Sequence, residues 1–123
     1  MIARALIPVV ALAGAAALTA CGTGTQTAVL PGASAARGHA VILRIGCGAC
    51  HTIGGVDGAN GRVGPPLTNF KRKRYIAGEL PNSPANVVRW IRNPQAVRPQ
   101  TIMPNLGLRE DDIRDVVAYL YGQ

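Results

Sequence analysis

Aromatic residues are scarce in this chain. Its 123 residues include one Phe, one Trp and three Tyr. Domains usually take about 100 to 200 residues, so the chain holds at most one. A domain of this size buries a modest core and is commonly completed by covalent staples or a prosthetic group. We therefore expect a non-protein group to fill part of the centre of the fold.

Cysteine and histidine are also few, with three Cys and two His in the whole chain. Cys47, Cys50 and His51 stand together in "CGACH", and the other His is His39, so a second set of ligands for a structural zinc site is lacking. The sequence shows no alternating strand pattern, whereas a thioredoxin-like thiol pair calls for βαβ surroundings. These absences disfavour both sites and indicate an all-α domain. A disulfide between Cys47 and Cys50 stays possible in an oxidising compartment.

A short apolar run opens the chain. Residues 1–20 carry one basic residue, Arg4, before a stretch of Ala, Leu, Val and Ile, which is typical of a secretory signal peptide. The run falls short of the roughly 20 apolar residues that a membrane span needs. It closes on "LTAC", and a Leu followed by two small residues and a Cys resembles the lipobox of bacterial lipoproteins. That resemblance implies that residues 1–20 are a lipoprotein signal peptide and that Cys21 is acylated.

The stretch after Cys21 is rich in Gly, Thr, Ser and Ala. We interpret residues 21–34 as a lipidated, flexible tether and residues 35–123 as the folded domain. The mature protein is then expected to be exported and anchored by its lipid to a bacterial membrane, facing the periplasm or the cell exterior.

Three stretches have the apolar spacing of helices. The first, "ASAARGHAVILRIG", ends at Gly46, immediately before the cysteines. The second, "NSPANVVRWIRN", has Ser83 as a candidate N-cap and Pro84 at the first helical position, and it ends before Pro94. The third, "LREDDIRDVVAYLYG", places three acids in its first turn, where the helix dipole favours them, so we interpret them as capping. Long, apolar, Gly- and Pro-rich loops separate the helices and need something to wrap around.

The motif C-x-x-C-H at Cys47 to His51 is the attachment signature of haem c. Its two thiols add across the haem vinyl groups as thioethers, and the adjacent His ligates the iron. Two intervening residues match the separation of the vinyl groups, and His51 then falls under the metal. The motif predicts one covalently bound haem c, with Cys47, Cys50 and His51 as its attachment and ligand residues.

A sixth iron ligand is indicated by Met103, the single Met that remains after removal of residues 1–20. It lies in the loop sequence "TIMPNLGL", outside any helical apolar stripe, so a role as core filler is disfavoured. A thioether is a soft ligand that favours ferrous iron. Ligation by His51 and Met103 would place the potential in the range of electron carriers.

With "GHAVILRIGCGACH", "GPPL", "MP" and "VVAYL" in this order, the chain resembles class I cytochromes c from Gly38 to Leu120. It is most similar to the cytochrome c domain fused to subunit II of bacterial haem-copper oxidases, because "LPNSPANVVRWIRNPQAVRP" resembles that group's stretch before the Met. The resemblance implies an all-α, small cytochrome c fold, with three to five helices and long loops wrapped around one covalent haem.

The resemblance also implies roles for three residues beyond the ligands. Pro65 matches the proline whose carbonyl accepts a hydrogen bond from the ligand His, and Leu67 matches a position that packs on the haem. Arg72 falls where the oxidase-fused domains carry an arginine near a haem propionate. Neighbouring basic residues could take that role, or the whole run could simply be solvated; these neighbours are Arg62, Lys71, Lys73 and Arg74.

Four further positions compare with the family pattern. Gly38 and Tyr119 match the Gly and the aromatic residue at which the first and last helices cross. Ile42 stands where an aromatic residue is common, and Arg109 stands where Ser or Thr often caps the last helix. The two departures concern packing and capping, not the haem.

The function implied is electron transfer rather than enzymatic turnover. We expect a membrane-anchored monohaem carrier that receives single electrons from a quinol-oxidising complex or a dehydrogenase and passes them to a terminal oxidase, with no nucleic-acid partner. A fixed electron-transfer subunit of a quinol-oxidising or dehydrogenase complex is the alternative. A haem peroxidase needs an open iron site, which Met103 would block, and His39 is poorly placed as a distal base.

The balance of charge points to an acidic partner. The formal net charge is +7. Between Arg37 and Arg98 ten basic residues face two acidic ones, while four acids lie between Glu110 and Asp115. A positive surface around a haem edge would steer the protein toward an acidic face on its redox partner.

Overall fold

Four helices and one small hairpin make up the part of the chain that the computed structural model describes, residues 29–123. The helices are α1 (Ala35–Ile45), α2 (Pro84–Arg92), α3 (Pro94–Val97) and α4 (Glu110–Tyr121). Short 3-10 turns cover Cys47–Ala49 and Phe70–Arg72. Strands β1 (Tyr75–Ile76) and β2 (Leu80–Pro81) pair antiparallel, with Tyr75 opposite Pro81 and Ile76 opposite Leu80. The predicted all-α class is confirmed, and the hairpin and the short α3 are additions to it.

Helix α1 brings the cysteine motif to the core. Its N-cap is Ser34, whose hydroxyl accepts a hydrogen bond from the Arg37 backbone N–H at 3.3 Å. It stops at Gly46, which has the left-handed φ of 79° that glycine adopts without steric cost. The chain therefore turns sharply, and the cysteine motif begins at the next residue.

Helices α2 and α3 are joined through a single residue, Asn93. The predicted cap of α2 is confirmed, because the Ser83 hydroxyl accepts from Asn86 N–H at 3.2 Å. Asn93 ends α2 and then caps α3, with its side-chain oxygen accepting from Ala96 N–H at 3.2 Å. Pro94 thus ends α2 and is the first residue of α3, a helix position that proline suits.

The first and last helices cross with their backbones in contact. A Cβ atom on Gly38 would lie 2.0 Å from the Asp115 carbonyl oxygen, so only glycine fits at this crossing. Around it lies the aliphatic core, in which Ile42 is 1% exposed, so Ile fills the place where the family pattern has an aromatic residue. The remaining core residues of these two helices are Val41, Ile113, Val116, Val117 and Leu120.

Residues 29–34, which the sequence assigns to the tether, lie against α4. Leu30 packs on the core. Ser34 N–H donates to the Asp115 carboxylate at 2.7 Å, and the Arg114 guanidinium donates to the Pro31 carbonyl at 2.7 Å. The division into 1–20, 21–34 and 35–123 stays a prediction, and Cys21 lies outside the described residues. Within residues 29–123, no helix has the length and apolar character needed to cross a bilayer.

Candidate haem site

The cysteine motif forms a tight turn at the end of α1. Cys50 N–H and His51 N–H both donate to the Cys47 carbonyl, at 3.2 and 3.0 Å. Both cysteines are free thiols; Cys47 is half-buried and Cys50 is exposed. Burial raises the pKa of the Cys47 thiol. The turn therefore presents two unpaired thiols and an imidazole within five residues.

The His51 ring is oriented by a backbone carbonyl. Its Nδ1 lies 2.7 Å from the Pro65 carbonyl oxygen. Because a carbonyl can only accept, Nδ1 carries the proton in this bond, and Nε2 of the neutral ring keeps its lone pair. This is the state in which a histidine ligates a metal, with the other ring nitrogen bonded to an acceptor.

Gly64 lies directly against the same ring. A Cβ atom there would sit 2.3 Å from His51 Cε1 and 2.7 Å from Nδ1, so any other residue would displace the imidazole. Gly64 N–H donates to the Cys50 carbonyl at 2.8 Å, and Leu67 N–H donates to the Thr52 carbonyl at 2.8 Å. The loop that carries Pro65 is thus bonded back to the motif on both sides of that residue.

Met103 lies half-buried in the loop between α3 and α4 and packs against the core. Both of its backbone polar groups are held by side chains: its N–H donates to the Thr101 hydroxyl at 3.2 Å, and its carbonyl accepts from Gln95 Nε2 at 2.8 Å. Sequence reasoning did not single out Gln95, because α3 was not predicted. The "NP" that starts this helix was the available signal.

The remaining predicted contacts are placed as follows. Leu67 is half-buried against the core. Arg72 is exposed, on the turn Phe70–Arg72, and within residues 29–123 it makes no hydrogen bond or ion pair through its side chain. Its role beside a propionate, like the ligand roles of His51 and Met103, stays a prediction.

This donor set fits haem c. It combines two free thiols at the C-x-x-C spacing, an imidazole with Nε2 available and a thioether on a backbone held in place. Among residues 29–123, no group of three or more His, Cys, Asp or Glu side chains could hold a metal ion, so the zinc alternative still lacks its second set of ligands.

Comparison with known proteins agrees with this chemistry. The family model described as Cytochrome c matches residues 35–122. The chain is 37% identical over 85 residues to cytochrome c oxidase subunit 2 of Alkalihalophilus pseudofirmus, covering 68% of this chain and 24% of that protein. It is 31% identical over 83 residues to cytochrome c oxidase subunit 2 of Bacillus sp. (strain PS3), covering 64% and 23%. The chain thus spans about a quarter of the length of these relatives. No solved structure matches it.

Proposed function

This chain belongs to the cytochrome c family, and we propose that it is a lipid-anchored monohaem carrier which passes single electrons to a terminal oxidase in a respiratory chain. Membership in the family makes it a haem protein that transfers electrons. The proposal goes further in five respects: the lipid anchor at Cys21, a single covalent haem, its ligand residues, the exported location and a terminal oxidase as electron acceptor.

The observation that carries the proposal is the hydrogen bond from His51 Nδ1 to the Pro65 carbonyl, at 2.7 Å. It supports His51 as a residue that would hold the iron through Nε2, while Met103 would supply the other ligand and Cys47 and Cys50 would attach the haem. When bound, the haem supplies an iron that changes its charge by one electron. The protein's part is to hold these ligands in place and to exclude water, and no acid–base group over the iron is required.

The oxidase enters the proposal through the relatives, which are subunits 2 of cytochrome c oxidases. Their names also favour a second candidate, in which the domain is a fixed subunit of a respiratory complex. Purification from membranes solubilised in mild detergent separates the two. A free carrier leaves the oxidase during purification, whereas a fixed subunit stays with its complex at constant stoichiometry.

Covalent attachment provides the test of the haem itself. The exported protein should hold one haem that survives denaturation and extraction with acidified acetone, and Cys47→Ser or Cys50→Ser should impair its maturation. Ala49→Ser, at the exposed spacer position between the cysteines, is the matched control and should mature normally. Haem that is fully extractable from the unsubstituted protein would contradict the proposal.

A further inference from the structure

Two helices contact the same glycine turn just after the His51 motif. The Tyr119 hydroxyl of α4 donates to the Gly54 carbonyl at 2.7 Å. His39 of α1 places Nε2 3.2 Å from the Gly55 carbonyl, which can only accept, so the ring is the donor. The two rings pack against each other with centroids 5.3 Å apart. Consecutive carbonyls of the turn are therefore bonded to the first and last helices.

The turn approaches α4 most closely at Gly55, where a side chain would be strained. Gly55 has φ +70°, and a Cβ atom there would lie 2.8 Å from the Tyr119 hydroxyl oxygen. A Cβ atom on Gly54 would lie 2.8 Å from Gln123 Oε1. Burial raises the pKa of the Tyr119 hydroxyl. Gly55 thus combines a backbone conformation that favours glycine with close contact to the Tyr119 side chain.

A short, hydrogen-bonded path joins this turn to the iron ligand. Between His51 and Gly54 lie only Thr52 and Ile53; Ile53 is buried, and its N–H donates to the Ala59 carbonyl at 3.1 Å. The Thr52 carbonyl accepts from Leu67 N–H at 2.8 Å, two residues beyond Pro65. The turn is therefore linked both to His51 along the chain and to the Pro65 loop through Thr52, so its position bears on the contact between them.

We propose that Tyr119, with His39 beside it, is a positioning residue for the His51–Pro65 hydrogen bond. By fixing the Gly54–Gly55 turn on α4, the hydroxyl keeps the Pro65 carbonyl within bonding distance of His51 Nδ1. An imidazole whose Nδ1 proton is held by an acceptor is a stronger donor through Nε2 and stabilises ferric iron. This inference rests on the proposed function, because it takes His51 as the ligand.

The test compares Tyr119→Phe with Tyr121→Phe in the haem-loaded protein. Both substitutions remove one hydroxyl from α4 and keep the ring. The Tyr121 hydroxyl, however, donates to Asn82 Oδ1, which belongs to a different loop. Two quantities are measured: the hydrogen-exchange rate of the His51 Nδ1 proton in the ferrous protein, by NMR, and the reduction potential.

We expect Tyr119→Phe to speed exchange of the Nδ1 proton by about tenfold, the size expected when a hydrogen bond of ordinary strength is lost. The reduction potential should shift upward. Tyr121→Phe should leave both quantities unchanged, although it also loses a hydrogen bond. His39→Leu should also speed exchange of the Nδ1 proton and raise the reduction potential. It serves as the test variant if Tyr119→Phe does not mature.

Equal effects of the two tyrosine substitutions, or no effect of Tyr119→Phe and His39→Leu, would overturn the inference. Failure of the proposed function is seen separately, as absence of covalent haem from the unsubstituted protein.

Discussion

Arg37 and Asp115 are joined by two hydrogen bonds across 78 residues of chain, at 2.7 Å from Nε and 2.8 Å from Nη2. Asp115 is 4% exposed, and its carboxylate also accepts from Ser34 N–H at 2.7 Å. Burial acts to raise the pKa of Asp115. The hydrogen bonds from Arg37 and Ser34 outweigh it, so the pKa lies below its usual value. The carboxylate therefore stabilises the fold while it is ionised.

Asp115→Asn should lower the free energy of unfolding by about 1 to 2 kcal/mol at pH 7, because a buried carboxylate loses its charge-assisted hydrogen bonds, while solvent partly screens the exposed Arg37 partner. Since the native pKa is depressed, this stabilisation is complete above the unfolded-state value near pH 4 and is lost as the pH falls through the native value. Denaturant unfolding at several pH values measures both effects.

Asp57→Asn is the control for that experiment. Asp57 is exposed and makes no ion pair within residues 29–123, so its loss should change stability by less than about 0.5 kcal/mol. A gap between parent and Asp115→Asn that stays constant down to the lowest pH would show that ionisation of Asp115 plays no part.

Gly64→Ala should displace the His51 ring, because the added methyl carbon would lie 2.3 Å from Cε1. We expect a loss of about 1 to 3 kcal/mol in the stability of the haem-loaded protein, as is typical of overpacking, together with faster exchange of the His51 Nδ1 proton. Gly122→Ala is the milder comparison, since its Cβ atom would lie 3.3 Å from the Ala118 carbonyl oxygen, a smaller overlap than at Gly64. Equal stability of the two variants would argue against contact between Gly64 and the ring.

Replacement of Met103 tests the sixth ligand. Met103→Ala should abolish the weak far-red band of a thioether bound to ferric haem and lower the reduction potential, because a soft ligand that favours ferrous iron is lost. Stability should fall as well, since a ligand of the native state is removed. Met103→Leu keeps most of the packing volume and should lose the same band with a smaller cost in stability. A spectrum that is unchanged in both variants would mean that another group binds the iron.

Charge on the run Lys71 to Arg74 should govern the association rate with an acidic partner. Within residues 29–123 this run has no ion pair, whereas Arg37, Arg44, Arg92 and Arg109 are each paired with an acid of α4. We expect the second-order rate of electron transfer to fall by about tenfold or more between low and high salt, as the Debye length shrinks from about 10 Å at 0.1 M to about 3 Å at 1 M.

A double charge reversal, Lys71→Glu with Arg74→Glu, should slow the reaction further at low salt. The matched control, Lys71→Arg with Arg74→Lys, keeps the charge at the same two positions and should keep the rate. Both are measured on the domain without lipid, so that attraction to the membrane does not contribute. A rate independent of salt would leave these residues as a solvated surface.

The sequence was informative where spacing along the chain defines the chemistry. C-x-x-C-H and the "GPPL" resemblance predicted a contact between His51 and Pro65, whose Nδ1 and carbonyl oxygen lie 2.7 Å apart, because each partner belongs to a local motif. Contacts between distant segments could not be read in this way. The first-turn acids of α4 were assigned to capping, but the start of α4 has no side-chain cap hydrogen bond, and Glu110 bonds Arg92 at 2.6 Å. Burial of Asp115 beside Gly38 likewise depends on how α1 crosses α4, which no single stretch of sequence encodes.

Substitution of Cys21 tests whether this residue is acylated. Cys21→Ser should release a soluble, haem-loaded domain where a signal peptidase still cleaves, while the parent protein stays with the membrane, because triple acylation exceeds the two signals that stable attachment needs. Fractionation of cells measures the distribution. Recovery of the parent protein wholly in the soluble fraction would remove the anchor from the proposal.

The contact of residues 29–34 with α4 limits how far such an anchored domain could travel from the bilayer. With Cys21 in the membrane and the chain attached to the domain from residue 29 onward, the connecting stretch spans at most about 28 Å when fully extended, at about 3.5 Å per residue. A chain free as far as Ala35 would reach about 49 Å by the same measure. The shorter reach is close to the thickness of the hydrocarbon core itself, about 30 Å. Encounter with a partner then becomes a search in two dimensions, restricted to proteins of the same membrane whose acceptor face lies near the lipid headgroups.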